Sequence, residues 1–383
     1  MKNEKRKIII TAAANNFHFI KYLVPALSED FNIEAISMPG SNNSRIELDK
    51  IASADLLWME WADGVNIAFL AGFDLPKTIL RIHRYEVFQQ RVIQDLNKLN
   101  IEAIKKINKL VFVSKKVKEI GTMHFPWMCE GVVIPNLIDT DKFPFTDRQK
   151  GYNILMLGRM SYVKNLPLAL TMFHEILKLD HRYQLHIVGE ISDPELTYYA
   201  ANFMDKAGIN DNVHFHGRID NNKLPEFMKD MHYILCSSIF ESQGLGILEA
   251  MCCGLKPIIF DFPGAENIFP DKWRWIDRSE FMHRIMTPDY HPIEYHQFVV
   301  NEFSIDNQIH LYQNLITETL DLPYRAMGAV EIMCCVAPPF NDGLHCAGIS
   351  KEHHDKHCKK CTSEKKDSQT AGYMKAIKGD HLK

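Results

Sequence analysis

Short runs of apolar residues alternate along the chain with longer stretches in which apolar positions recur every three or four residues. The short runs are typical of buried parallel strands, and the longer stretches are typical of the helices that cover them. In the first half the pattern predicts strands at Lys7–Thr11, Ile33–Ser37, Leu56–Glu60, Thr78–His83, Lys109–Val113 and Val132–Ile134. In the second half it predicts strands at Tyr152–Gly158, Tyr183–Gly189, Val213–His216, Tyr233–Cys236 and Pro257–Phe260. The alternation therefore predicts an α/β protein with two parallel sheets.

The restart of this pattern after about residue 145 predicts a boundary between two lobes. A chain of 383 residues is long enough to form two domains, because single cores stop growing at about 250 to 300 residues. We expect a Rossmann-like lobe over residues 1–147, a second over 148–302, and a helix over 303–322 that returns toward the first lobe. The remaining segment, 323–383, is rich in Lys, His and Cys and is predicted to be a flexible tail.

Composition and charge narrow the class of protein. Hydrophobic residues make up 46% and charged residues 24%, as in an ordinary globular protein, and the net charge of -4 argues against a nucleic-acid partner. The apolar run Ile8–Ala14 breaks at once into Asn15 and Asn16, which favours a first strand over a signal peptide. No apolar run reaches the length of a membrane span, so we expect a cytoplasmic protein.

The first candidate for chemistry is the loop that follows the strand Tyr152–Gly158. It contains Gly158, Arg159 and, five residues after Arg159, Lys164. Such a loop lies at the carboxyl end of a strand, where open α/β sheets bind their ligands. Arg159 and Lys164 would together neutralise a leaving diphosphate without a metal, although two basic residues on a solvated loop are the alternative.

The second candidate is the segment 239–251, which turns from a strand into a helix through Gly244 and Gly246. Glycine lets backbone N–H groups approach a phosphate, and the helix start adds a partial positive charge. Glu241 precedes this helix and Glu249 lies just after its first turn, so the two carboxylates would face opposite ends of a bound nucleotide-sugar. The alternative is an ordinary capping acid together with a surface acid. The turn Val213–Arg218 is a third and weaker element, expected beside the base.

Taken in order and spacing, these elements resemble the donor lobe of the retaining GT-B glycosyltransferases of family four, over roughly residues 105–318. The resemblance implies two Rossmann-like lobes whose parallel sheets face each other across a cleft. It implies transfer of a sugar, with retention and without a metal cofactor, from a nucleoside-diphosphate-sugar to a hydroxyl of a glycan, lipid or small molecule. A nucleotide-sugar epimerase or hydrolase on the same fold, or a catalytically silent sugar-nucleotide-binding protein, remains the alternative.

The resemblance also assigns roles to single residues. Arg159 and Lys164 would hold the diphosphate, Glu241 would contact the transferred sugar and Glu249 would bind the ribose. The residues expected to contact the rest of the donor are Gly158, Gly244, Leu245 and Gly246 near phosphate or sugar, Arg218 and Ile219 beside the base, and His83 facing the sugar from the first lobe. The first lobe departs from the family, because Ala12–Asn16 replaces a glycine pair after the first strand.

Three further signals concern metals and membranes. Asp139-Thr140-Asp141 has the form of a metal-binding motif, but its position between the lobes argues against that function. The tail carries candidate zinc ligands, weighed against a solvated tail: Cys346, His353, His354, His357, Cys358 and Cys361. Six lysines form either a solvated helix face or a peripheral contact with anionic lipid: Lys105, Lys106, Lys109, Lys115, Lys116 and Lys118.

Overall fold

Two parallel sheets of six strands each form the centres of two lobes in the computed structural model, which describes residues 4–38 and 45–323. The strands of the first sheet are β1 Lys7–Ala13, β2 Asn32–Met38, β3 Leu56–Met59, β4 Lys77–Ile82, β5 Ile107–Phe112 and β6 Val132–Val133. Those of the second are β7 Asn153–Leu157, β8 Gln184–Val188, β9 Val213–Gly217, β10 Tyr233–Cys236, β11 Lys256–Phe260 and β12 Arg274–Trp275. The prediction of two parallel α/β sheets is confirmed.

Helices cover both faces of each sheet, which is why the strands are continuous apolar runs rather than alternating ones. The helices of the first half are α1 Val24–Leu27, α2 Arg45–Ala52, α3 Gly64–Gly72, α4 Arg84–Phe88, α5 Gln90–Leu96, α6 Ile101–Ile104 and α7 Lys115–His124. Those of the second half are α8 Leu166–Leu177, α9 Pro194–Ala207, α10 Leu224–Met228, α11 Leu245–Cys252, α12 Arg278–Met286, α13 Pro292–Phe303 and α14 Ile305–Asp321.

The order of strands fixes where each sheet can bind a ligand. The first sheet runs β2-β1-β3-β4-β5-β6 and the second runs β12-β11-β10-β7-β8-β9. In each, the chain changes direction across the sheet once, between β1 and β3 in the first and between β7 and β10 in the second. Ligands of open α/β sheets bind at the carboxyl ends of the two strands that flank this point. The loops after β7 and β10 therefore form the expected binding edge of the second lobe.

The observed strands match the predicted ones to within two residues at each end, and β10 matches its prediction without any difference. The strand β12 is the exception, since the hydrophobic pattern did not predict it. It has only two residues, and it pairs with β11 through Ile259 and Phe260. A segment this short shows no periodicity, so its pairing depends on the neighbouring strand rather than on its own sequence.

The last described helix, α14, crosses back onto the first lobe. Its N-cap is Ser304, whose Oγ accepts a hydrogen bond of 3.2 Å from the backbone N–H of Asn307. Tyr312, Leu315 and Ile316 on its buried face pack in the same apolar cluster as the strands β1, β3 and β4 of the first lobe. The second lobe is thus tied to the first by two chain crossings, the segment before β7 and the turn at Ser304.

Candidate active site

Lys164 and Glu241 form an ion pair at the binding edge of the second sheet. The Nζ atom of Lys164 lies 2.6 Å from Oε1 of Glu241, although the two residues are 77 positions apart in the chain. Ser238 also donates a hydrogen bond of 2.7 Å to the same carboxylate oxygen. The side chains are 25% and 14% exposed, so the pair lies at the surface of the cleft without being fully solvated. The loops after β7 and β10 therefore bring these two predicted residues together.

Both members of this pair are charged. Burial alone would lower the pKa of Lys164, but the charge and hydrogen bond of Glu241 raise it above the ordinary value. Burial alone would raise the pKa of Glu241, but Lys164 and the hydroxyl of Ser238 lower it. The Lys164–Glu241 pair thus offers a fixed ammonium group and a fixed carboxylate at the cleft.

Gly158 is required by the close approach of Lys164. Its φ of 127° lies where side chains are strained, and a Cβ at this position would stand 2.9 Å from Cε of Lys164. The carbonyl of Gly158 is crowded as well, since a Cβ on Gly189 would lie 2.0 Å from it. Glycine at these positions lets the ends of β7 and β8 and the Lys164 side chain share one small space.

The glycine turn before α11 directs that helix start to the same edge. Gly244 is the N-cap of α11, with a φ of 81° in the left-handed region. A Cβ on Gly246 would lie 3.2 Å from Cδ2 of Leu157, the last residue of β7. The first turn of α11, including Leu245, therefore packs directly against the end of β7, with backbone N–H groups available to an anion.

Glu249 lies on α11 and is half-buried. Burial raises its pKa to about 7, an effect that the positive charges of Lys142 and Lys21 oppose. Lys142 donates a hydrogen bond of 2.5 Å to the hydroxyl of Tyr22. Glu249 is thus within electrostatic reach of Lys21 of the first lobe and of Lys142 in the connecting segment.

The remaining predicted donor residues of the second lobe lie at the rim. The side chains of Arg159 and Arg218 are exposed, and no hydrogen bond or ion pair joins either guanidinium to another described residue. Ile219 is half-buried and packs against the core of the second lobe. The structure therefore does not bring these side chains into the Lys164–Glu241 cluster.

His83, from the first lobe, is 2% exposed and is the N-cap of α4. Its ring stacks on Trp61, at a centroid distance of 4.1 Å, and on Phe19, at 4.8 Å, and these two rings also contact each other, at 5.4 Å. Burial lowers its pKa to about 4, although Glu60, whose Oε1 lies 3.4 Å from Nε2, opposes the change. His83 is therefore a buried, neutral imidazole in an aromatic cluster.

The turn after β1 has a left-handed backbone without glycine. Ala14 and Asn15 have φ values of 50° and 57°, in the left-handed region, although neither is glycine. The backbone N–H of Asn15 donates a hydrogen bond of 2.9 Å to Oγ of Ser37, and that of Ala13 donates one of 3.1 Å to the carboxylate of Asp63. Hydrogen bonds to neighbouring side chains thus hold this strained turn in place.

A buried polar network in the first lobe was not predicted from the sequence. Arg81, fully buried, donates hydrogen bonds to Glu60 at 3.0 Å, to Asn136 at 2.7 Å and to the hydroxyl of Tyr312 at 2.6 Å. Asn136 in turn exchanges two backbone hydrogen bonds with the side chain of Gln243, at 2.7 and 2.8 Å. Gln243 directly precedes Gly244, so the network runs from the first lobe to the glycine turn. The available signal for this network in the sequence was Arg81, a charged residue inside the apolar strand β4.

The remaining sequence signals concern metal binding and membranes, and none of them involves the Lys164–Glu241 pair. The carboxylate of Asp139 accepts a hydrogen bond of 3.1 Å from the backbone N–H of Lys142, so it caps its own turn. Among the described residues, no group of three or more His, Cys, Asp or Glu side chains could hold a metal ion. The candidate zinc ligands of the tail lie outside the described residues. Within the same described ranges, no helix is both long and apolar enough to cross a bilayer.

Comparison with known proteins identifies this class of domain. Residues 138–275 match the family model of the glycosyl transferases group 1. The structure is similar to that of HepE from Anabaena in complex with UDP-glucose, with a TM-score of 0.64 and 12% identity over 81% of this chain and 99% of that one. Residues 138–275 therefore match the glycosyl transferases group 1 family, and the two parallel six-stranded sheets form the GT-B fold.

Two curated relatives match part of the chain. The α-monoglucosyldiacylglycerol synthase of Streptococcus pneumoniae is 30% identical over 122 residues, which is 31% of this chain and 26% of the relative. The GDP-mannose:cellobiosyl-diphosphopolyprenol α-mannosyltransferase of Xanthomonas oryzae is 29% identical over 135 residues, or 34% of each protein. The chain thus spans about a quarter to a third of the length of these relatives.

Proposed function

We propose that this protein transfers a sugar from a nucleoside-diphosphate-sugar to an acceptor hydroxyl. The observation that carries the proposal is the convergence of the Lys164 ammonium, the Gly158 loop and the glycine turn before α11 at the ligand-binding edge of the second sheet. As the bond between sugar and diphosphate breaks, negative charge grows on the diphosphate. Fixed positive groups aimed at that charge lower the barrier without reorganising.

Each residue then has a distinct part in the reaction. Lys164 and Arg159 bind the diphosphate, with Arg159 turning in from the rim when the donor is present. Glu241, already hydrogen-bonded to Ser238, accepts hydrogen bonds from hydroxyls of the transferred sugar. Glu249 binds the ribose, and the Arg218–Ile219 segment borders the base. In the first lobe, His83 faces the sugar once Phe19 moves from its ring.

Retention of anomeric configuration and independence of metals are further parts of the proposal. Lys164, Arg159 and the start of α11 supply the positive charge that a divalent ion supplies elsewhere. Nuclear magnetic resonance of the first-formed product should give the same anomeric configuration as the donor, and an inverted product would contradict retention. Turnover should survive an excess of chelator, and complete loss that added Mg²⁺ or Mn²⁺ restores would contradict metal independence.

The acceptor that we propose is a lipid-linked or glycan hydroxyl. The names of both curated relatives contain a lipid, a monoglucosyldiacylglycerol that one synthesises and a cellobiosyl-diphosphopolyprenol on which the other acts. We propose a cytoplasmic location with peripheral contact to anionic lipid through Lys115 and Lys118. Internal ion pairs already engage Lys105, Lys109 and Lys116. Reversing the charge of Lys115 and Lys118 together should abolish binding to anionic vesicles, and unchanged binding would remove this part of the proposal.

The decisive experiment is a panel of nucleotide-sugars with and without acceptor extracts. Release of nucleoside diphosphate that depends on acceptor supports transfer, whereas release without acceptor supports a hydrolase or epimerase, and binding without release supports a silent protein. Lys164→Ala should lower turnover about 10²- to 10³-fold, because it removes a donor to the developing charge. Lys178→Ala is the matched control, since Lys178 forms an exposed ion pair with Glu175 outside the cleft. Equal turnover of the two variants would contradict the site.

A further inference from the structure

Helix α4 begins at the cleft, directly after His83. Its first residue, Arg84, and its last, Phe88, are four positions apart and therefore lie on one face of the helix. The ring of Phe88 meets the ring of Phe240 edge-to-face, with 4.8 Å between centroids. Phe240 belongs to the second lobe and immediately precedes Glu241. The face of α4 that carries Arg84 thus packs against the loop that carries Glu241, the partner of Lys164.

A second contact fixes this loop against the first lobe. Val163 and Phe240, the residues before Lys164 and Glu241, both pack with the apolar core of the first lobe. The backbone N–H of Ile239 donates a hydrogen bond of 2.9 Å to the carbonyl of Val163, so the two loops are also joined to each other. The Lys164–Glu241 pair therefore lies at the junction of the lobes, within the electrostatic reach of residues on α4.

The charge of Arg84 acts on this pair. Burial is the largest influence on the pKa of Lys164 and of Glu241, and the two residues act strongly on each other. Arg84 adds a smaller effect that lowers both pKa values. Arg84 is half-buried, and no hydrogen bond or ion pair joins its guanidinium to another described residue. Arg84 is thus a second cation within electrostatic reach of the Lys164 ammonium group, and the two repel each other until an anion enters.

The balance of charge in the cleft indicates what this anion is. Glu241 offsets part of the positive charge of Lys164, so of the two described cations that we assign to the diphosphate from the second lobe, Arg159 alone lacks an anionic partner. We propose that Arg84 is a third phosphate-binding cation, supplied by the first lobe, which contacts the diphosphate of the donor beside Lys164. This inference rests on the proposed function. It makes the diphosphate site complete only when the two lobes are packed as they are here.

The test compares Arg84→Ala, Arg84→Lys and a matched control, Arg91→Ala, which removes an exposed arginine from the adjacent helix α5. Calorimetric titration measures the affinity of each for UDP, GDP, the corresponding nucleosides and glycerol 3-phosphate. A charge-assisted hydrogen bond of the usual strength predicts that Arg84→Ala weakens binding of the diphosphate that the wild type prefers by about 10- to 100-fold. Nucleoside binding should not change, and Arg84→Lys should recover part of the loss. Unchanged thermal midpoints show that the variants are folded.

The other outcomes separate the possible errors. If wild type and Arg84→Ala bind the nucleoside diphosphate equally, this inference is wrong while the proposed function stands. If Arg84→Ala loses affinity for glycerol 3-phosphate alone, Arg84 serves a phosphate on the acceptor, and its assignment to the donor is overturned. If the wild type binds none of the nucleoside diphosphates or nucleotide-sugars, the proposed function and this inference fail together.

Discussion

The buried pair of Arg81 and Glu60 gives the sharpest prediction for stability. Neither side chain is exposed, and Glu60 also accepts a hydrogen bond of 2.9 Å from the indole N–H of Trp58 and lies 3.4 Å from Nε2 of the neutral His83. Burial alone would raise the pKa of Glu60, but the charge of Arg81 lowers it, so the carboxylate is ionised in the folded protein. Removing the guanidinium therefore leaves a buried negative charge without a counterion.

We expect Arg81→Met to lower the free energy of unfolding by about 3 to 5 kcal/mol, the usual cost of breaking a buried ion pair from one side. Total stabilities are about 5 to 15 kcal/mol, so this loss is a large fraction. The measurement is urea unfolding followed by tryptophan fluorescence. The matched control is Arg6→Met, because the Arg6–Asp55 pair has side chains 65% and 36% exposed and should contribute less than about 1 kcal/mol.

A second variant separates the charge from the lost packing. Replacing both partners, as in Glu60→Gln with Arg81→Met, removes the unpaired carboxylate and should recover at least about 1 kcal/mol relative to Arg81→Met alone. The reasoning is refuted if Arg81→Met loses no more stability than Arg6→Met. It is also refuted if the double variant loses as much stability as Arg81→Met and Glu60→Gln, each measured alone, lose in sum.

Three other predictions concern a turn, a cap and a titration. Gly158→Ala should destabilise the fold by about 1 to 3 kcal/mol in the same assay, because a Cβ there is strained and meets Lys164. The control is Gly64→Ala, which has open space around it and should change the free energy of unfolding by less than about 0.5 kcal/mol. Equal effects of the two variants would contradict this prediction. Ser304→Ala should cost about 1 kcal/mol by removing the N-cap of α14, and an unchanged urea midpoint would refute the cap. Burial raises the folded pKa of Glu249 from 4.5 to about 7, so its contribution to stability is present below about pH 4.5 and is lost as the pH rises through 7. Glu249→Gln should therefore gain stability relative to the wild type over that range, and a pH-independent difference would contradict the raised pKa.

The two crossings between the lobes explain how the glycine turn is held. The reciprocal hydrogen bonds between Asn136 and Gln243 fix the residue before Gly244 to the connecting segment. Asn136 is in turn held by Arg81, and Tyr312 of α14 donates a hydrogen bond of 2.8 Å to the carbonyl of Pro135. The start of α11 is thus supported by buried polar groups from outside its own lobe, which fixes its direction toward the cleft.

The sequence by itself determined the class of fold and the local shape of the donor loops. Continuous apolar runs separated by amphipathic stretches permit little other than parallel strands covered by helices. Glycines at 158 and 244 mark turns with positive φ, because other residues are strained there. Both signals are local, since they depend on residues within one or two turns of chain, and for that reason they can be recognised without a structure.

Only the tertiary structure decided which of these residues meet. Lys164 contacts Glu241 because β7 and β10 are neighbours in the second sheet. The order of strands in a sheet cannot be predicted from any short segment of the sequence. Arg84 follows His83 in the chain and belongs to no motif. The packing of Phe88 on Phe240 turns its helix face toward the second lobe. These contacts form because segments distant in the chain are buried against each other. The free energy that stabilises them is spread over the whole interface between those segments rather than over one motif.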